Sequence, residues 1–155
     1  FIAPLTFLTL TRRPVHTSLW EGAEDYSAEH IALTDRADLM LVAPATANIL
    51  AKMACGIADE LVSTLALSAC GACPILVAPA MNARMWAAPA TRANVETLRA
   101  RGVAVVGPAE GRLACGTFGP GRMAEPADIV AAAAEALRTA PGKRRRGRAR
   151  GGAHA

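Results

Sequence analysis

Three side chains far apart in the chain, His30, Asn82 and Cys115, are of types that move protons or orient an anion near neutral pH. An imidazole titrates close to pH 7, and a thiol in a mobile, Gly-rich setting can donate a proton. A primary amide orients a carboxylate through hydrogen bonds alone. Asn82 lies in Ala78-Pro79-Ala80-Met81-Asn82-Ala83-Arg84-Met85-Trp86, and Cys115 in Leu113-Ala114-Cys115-Gly116-Thr117-Phe118-Gly119-Pro120-Gly121-Arg122-Met123. A third segment, Ala43-Pro44-Ala45-Thr46-Ala47-Asn48, puts a hydroxyl where it would cap a following helix and turn backbone N–H groups towards a ligand. Paired carboxylates, a P-loop and a zinc signature are missing, which disfavours glycoside hydrolysis, NTP hydrolysis and metal catalysis. Each residue also has a plainer reading. Singly, His30 is a helix-start histidine, Asn82 a cap, Cys115 a small buried hydrophobe, and Met81, Met85 and Trp86 are core. Cys70-Gly-Ala-Cys73 is a CxxC without a second pair at metal-ligand spacing and reads as structural. Cys55 reads as buried filler within a helix.

The segments that must position these residues alternate in kind. Asp38 to Pro44 and Pro74 to Pro79 are short apolar bursts that end on proline, and Val103 to Val106 is a third. These are expected to be buried parallel strands. Thr46 to Cys55, Asp59 to Cys70, Ala90 to Arg101 and residues 126–139 carry helical spacing, with Gly102 and Pro126 as boundary signals. Leu5 to Leu10 reads as the end of a helix, Val15-His16-Thr17 as a short strand, and His30 as standing just before a helix over Ile31 to Ala37. Strands alternating with helices predict an α/β fold with a parallel sheet covered on both faces. Ligands then collect beyond the carboxyl ends of the strands.

Charge and composition narrow the class further. The 155 residues suffice for one domain, 19% are charged, and mean hydropathy is +0.25, which argues against disorder over most of the length. The net charge of +4 belongs to the end of the chain: six of the 17 basic residues lie at 143–150. Residues 1–142 then hold 11 basic and 13 acidic side chains. We expect a folded domain over 1–139 and a solvated basic tail over 140–155, with no nucleic acid as partner. No apolar run approaches the length of a membrane span. Four cysteines without a secretion signal suggest a cytoplasmic protein with reduced thiols. The chain opens on Phe1 and reads as a fragment.

Taken together, the motifs resemble the flavoprotein family of cysteine decarboxylases. Pro44-Ala45-Thr46-Ala47-Asn48 matches the family's Pro-Ala-Ser-Ala-Asn with Thr for Ser. Pro79 to Trp86 matches Pro-x-Met-Asn-x-x-Met-Trp, and Ala114-Cys115-Gly116 matches its flap. The resemblance implies a Rossmann-like, flavodoxin-like three-layer sandwich, missing its first strands here, that holds FMN near a subunit boundary of a trimer. It implies that Thr46, Ala47, Asn48, Ile49 and Ala80 contact the flavin, that Asn82 and Met85 touch the substrate, that His30 acts as base and that Cys115 acts as acid. The activity implied is decarboxylation of 4′-phospho-N-pantothenoylcysteine for coenzyme A biosynthesis. Related activities on a peptide C-terminus, or a non-catalytic binding role, are the alternatives; the flap cysteine and the complete His/Asn/Cys set speak against them. A flavin prenyltransferase shares the fold but not the Asn82 and Met85 pattern. Two departures stand out. The family's first strand and its Gly/Ser-rich phosphate turn do not precede Phe1, so weak FMN binding is expected of this stretch alone. Thr117 stands where the family often has Asp. In many bacteria a cysteine-ligating synthetase domain follows the decarboxylase.

Overall fold

The computed structural model describes residues 2–18, 29–112, 116 and 118–140. Their element order is α1 (Pro4–Thr11), α2 (Glu29–Arg36), β1 (Met40–Ala45), α3 (Ala47–Cys55), α4 (Leu61–Ala69), β2 (Ile75–Pro79), α5 (Ala83–Ala87), α6 (Pro89–Ala100), β3 (Ala104–Val105), β4 (Ala109–Arg112), β5 (Phe118–Arg122) and α7 (Pro126–Thr139). Strands β1, β2 and β3 form a parallel sheet in that order, with Val42 opposite Val77 and Val77 opposite Val105. The expected α/β class and parallel sheet are therefore present.

The central strand explains the layering. Leu76, Val77, Ala78 and Pro79 are all buried, as a strand covered on both faces must be. On one face, Val42, Val77 and Trp86 pack with Ile49, Leu50 and Ala54 of α3 and Val95 and Leu98 of α6. On the other, Ala78 packs with Ala124 and with Ile129 of α7. Leu50 has no exposed surface at all. Leu50→Ala should lower stability by about 2–5 kcal/mol, the range for deleting a fully buried leucine side chain. The midpoint and slope of urea unfolding check this.

Helix boundaries follow local chemistry. Thr46 Oγ1 accepts the Ile49 N–H at 3.3 Å and opens α3, and Gly56, in the left-handed region, closes it. Proline opens α6 and α7, where an N–H would have no intrahelical partner. Ahead of α4, Lys52 reaches Asp59 at 2.8 Å and Glu60 at 3.3 Å. The bond to Asp59 raises the Lys52 pKa, and the same bond lowers that of Asp59.

Several expectations are corrected. Residues 14–18 form no strand: β1 pairs with β2 alone among the described residues, so Val15 to Thr17 have no ladder to join. The first strand runs through Pro44 to Ala45 with a register irregularity after Val42, and the third shrinks to two residues. His30 lies inside α2, not before it, because the helix begins at Glu29. Cys55, the last residue of α3, is exposed. The latter part of the Gly-rich run is not a loop: Phe118–Arg122 is strand β5, antiparallel to β4 with Gly111 opposite Gly119, while residues 113–115 and 117 lie outside the described residues. No described helix is long and apolar enough to cross a membrane. The basic tail lies outside the described residues apart from Ala140.

Candidate active site

At the carboxyl ends of β1 and β2 the chain brings three expected segments to one edge. The Ala80 N–H donates to the Ala45 carbonyl at 3.0 Å, which joins the residue after β2 to the residue before Thr46. One residue later, the Met81 N–H donates to the Gly121 carbonyl at 2.9 Å and ties the Asn82 loop to β5. Two short bonds thus align the α3 entry, the Asn82 loop and the β4–β5 hairpin.

Asn82 is the N-cap of α5: its Oδ1 accepts the Arg84 N–H at 2.8 Å. The cap engages the oxygen of the amide, so hydrogen-bond donation falls to Nδ2. The capping reading and the anion-orienting reading are compatible, because the first fixes the side chain that the second requires. Met85, on the same short helix, is 50% exposed and open to a ligand, whereas Trp86 is buried in the core. The Arg92 guanidinium lies 4.6 Å from the Trp86 ring centroid, which braces α5 against α6.

At the α3 entry, Thr46 and Asn48 are exposed and Ala47 is half-buried, beside the small side chains of Ala43, Ala45 and Ala80. The first N–H groups of an α-helix lack intrahelical partners and carry the positive end of its dipole. A hydroxyl, an amide and outward N–H groups over alanines form a donor set suited to the polar edge of a flat ring such as an isoalloxazine. Ile49 differs: its side chain belongs to the core and its N–H is taken by Thr46.

His30 stands on a different element. It is half-buried on α2, which packs against α4, and its carbonyl accepts from Thr34 Oγ1 at 3.0 Å. Cys115 lies outside the described residues, but the hairpin that flanks it, β4 ending at Arg112 and β5 starting at Phe118, is docked on the Asn82 loop.

Sequence reasoning missed Gly121. Its φ is +139°, and a Cβ built there would sit 2.2 Å from the Met81 carbonyl oxygen. Only glycine lets the hairpin backbone approach this closely. A signal was available: glycine inside a strand marks a bulge or a close backbone approach, and Gly119-Pro120-Gly121 holds two.

Comparison with known proteins places this geometry in context. The family model described as Flavoprotein matches residues 1–138. The coenzyme A biosynthesis bifunctional protein CoaBC of Vibrio vulnificus strain YJ016 is 47% identical over 131 residues, covering 84% of this chain and 32% of that protein. CoaBC of Escherichia coli K12 is 45% identical over 130 residues, with the same shares covered. The chain therefore spans about a third of the length of these curated relatives. Among solved structures, a cysteine-to-serine mutant of PPC decarboxylase complexed with pantothenoylaminoethenethiol is similar with a TM-score of 0.71 and 35% identity, covering 75% of this chain and 65% of that one. The FMN-dependent cysteine decarboxylase SpaF is similar with a TM-score of 0.74 and 37% identity, covering 88% and 71%.

Proposed function

The chain belongs to the Flavoprotein family, and from that premise we propose that it carries out the FMN-dependent decarboxylation of 4′-phospho-N-pantothenoylcysteine to 4′-phosphopantetheine. One observation carries the reading: Asn82, fixed as a helix cap, is held by the Met81–Gly121 bond beside β5, the strand that follows Cys115 in sequence, and next to the Thr46 entry of α3. Relatives named for coenzyme A biosynthesis at 47% identity support the substrate class.

Thr46, Ala47, Asn48 and Ala80 would hold the flavin, with Ile49 contributing through its place in the same helix turn. When bound, FMN supplies a reversible two-electron acceptor, which lets the thiol-bearing carbon become a thioaldehyde and gives the carboxylate an electron sink at the β position. The chain's own residues do the rest. Asn82 Nδ2 orients the substrate carboxylate without the cationic pairing that would oppose its departure. Met85 packs on the substrate chain. His30 accepts the proton that the thiol sheds, a role suited to an imidazole near neutral pH. Cys115 gives a proton to the carbon that has lost its carboxyl group.

With α2 packed on α4, a homotrimer with the flavin at a subunit boundary would bring His30 of one copy to the ring served by Asn82 and Cys115 of another. The reaction belongs in the cytoplasm, and a ligase domain fused beyond this chain, as in the bifunctional relatives, would consume no group assigned here.

A second reading has its own support. EpiD, solved with the substrate peptide DSYTC, is similar with a TM-score of 0.60 and 26% identity over 72% of this chain, which favours a peptide ending in cysteine as substrate. The protein carrying this chain, loaded with FMN, should release carbon dioxide from the phosphopantothenoyl substrate and not from such a peptide. Release from the peptide alone would transfer the assignment to the second reading.

A further inference from the structure

We propose that Cys70 and Cys73 form a dithiol site, remote from the flavin edge, that a small-molecule disulfide oxidises reversibly to an intrachain disulfide. The two thiols stand where α4 turns into β2, at the amino-terminal end of the sheet, opposite the end that carries Thr46 and Asn82. Neither is in a disulfide; Cys70 is exposed and Cys73 half-buried.

The turn brings them together. The N–H groups of Ala72 and Cys73 both donate to the Ala69 carbonyl, at 2.9 and 3.2 Å, so residues 69–73 fold back as one tight turn, with Cys70 outside helical geometry at ψ 115°. Both thiols leave this one tight turn, within which a disulfide needs Cβ atoms brought to roughly 3.5–4.5 Å. Gly71 lies between them at φ +75°, with nothing within 4 Å of where its Cβ would be. The residue that must flex to close the gap is therefore the one with most freedom to do so. Both cysteines also line one cavity of about 140 Å³ with Lys52 and Arg101.

The chemistry balances with glutathione disulfide as the oxidant. The exposed Cys70 thiolate attacks one sulfur and releases one glutathione thiolate, leaving a mixed disulfide. Cys73 then attacks the Cys70 sulfur, the Cys70–Cys73 bond forms, and the second glutathione leaves. Two thiol protons are lost from the protein, and its two electrons reduce the glutathione disulfide to two thiols.

The test uses the native protein carrying this chain. After treatment with glutathione disulfide, alkylation and peptide mapping should find residues 70–73 two hydrogens lighter and protected from iodoacetamide, while exposed Cys55 reacts. Reduction should restore alkylation at both positions. Phenylarsine oxide, which bridges paired thiols, should be retained at one equivalent at this turn, and that equivalent should be lost in Cys70→Ser and in Cys73→Ser. Stable glutathione adducts on both cysteines, unchanged alkylation at both, or arsenical retention undiminished in the single variants would each overturn the proposal. Flavin absorbance unchanged in Cys70→Ser/Cys73→Ser would confirm that the site lies apart from the flavin edge; its loss would overturn that separation.

Discussion

Gly121→Ala is expected to depress carbon dioxide release by about 100-fold or more while flavin absorbance persists, because a misplacement of about 1 Å at a positioning contact costs that much. The alanine Cβ would lie 2.2 Å from the Met81 carbonyl oxygen and 3.4 Å from the Ala83 N–H nitrogen, at a φ of +139° that L side chains rarely adopt. Neither neighbour is a flexible tip; both are backbone of the Asn82 loop. The hairpin must lift or the loop must yield, and the 2.9 Å bond from Met81 to Gly121 goes with either. The Thr46 entry lies beyond that bond and keeps its cap. Gly119→Ala serves as the control two residues away. There a Cβ meets only the Ala83 Cβ at 3.4 Å, an ordinary contact, and activity should stay near that of the parent. Comparable losses in both variants would mean that the hairpin tolerates no change at all and that Gly121 has no special part.

The second large effect concerns the proton carriers. His30→Asn should reduce carbon dioxide release by about 10²- to 10⁴-fold, the usual contribution of a positioned acid or base. Cys115→Ser should act later. Decarboxylation continues at a reduced rate, but the ene-thiol product accumulates two hydrogens short of the finished thiol, and mass spectrometry of the quenched reaction reads that difference. The two defects therefore differ in kind, one before loss of the carboxyl group and one after it. If each variant releases carbon dioxide undiminished and yields the finished product, neither residue has the role assigned.

Much of this arrangement was legible in the residues. Pro74 to Pro79 announced a strand buried on both faces, and Leu76 to Pro79 are buried in a row. Thr46 announced a cap and accepts the Ile49 N–H; Pro126 marked the first residue of α7. What escaped was long-range. Ala109 to Arg112 carries no apolar alternation, and its pairing with Phe118 to Arg122 rests on backbone bonds and glycine-to-glycine register, which leave little trace in side-chain type. The close approach at Gly121 depends on a residue 40 positions away, so no local pattern could fix its purpose. Val15 to Thr17 erred the other way: a β-branched flank looked like a strand, but a strand exists only where a neighbour pairs with it. His30 shows the same limit. Its residue type and motif marked it for chemistry, but its distance from Asn82 is a matter of how α2 packs, and in one chain α2 packs on α4.

The central claim is that an imidazole, an amide and a thiol from separate elements serve one flavin ring. An experimental structure of the FMN-loaded assembly measures it directly. The account predicts the side chains of His30, from a neighbouring subunit, Asn82 and Cys115 around a single isoalloxazine, with Thr46 and Ala80 against its edge. A flavin bound elsewhere, or a ring that His30 approaches from no subunit, would contradict it.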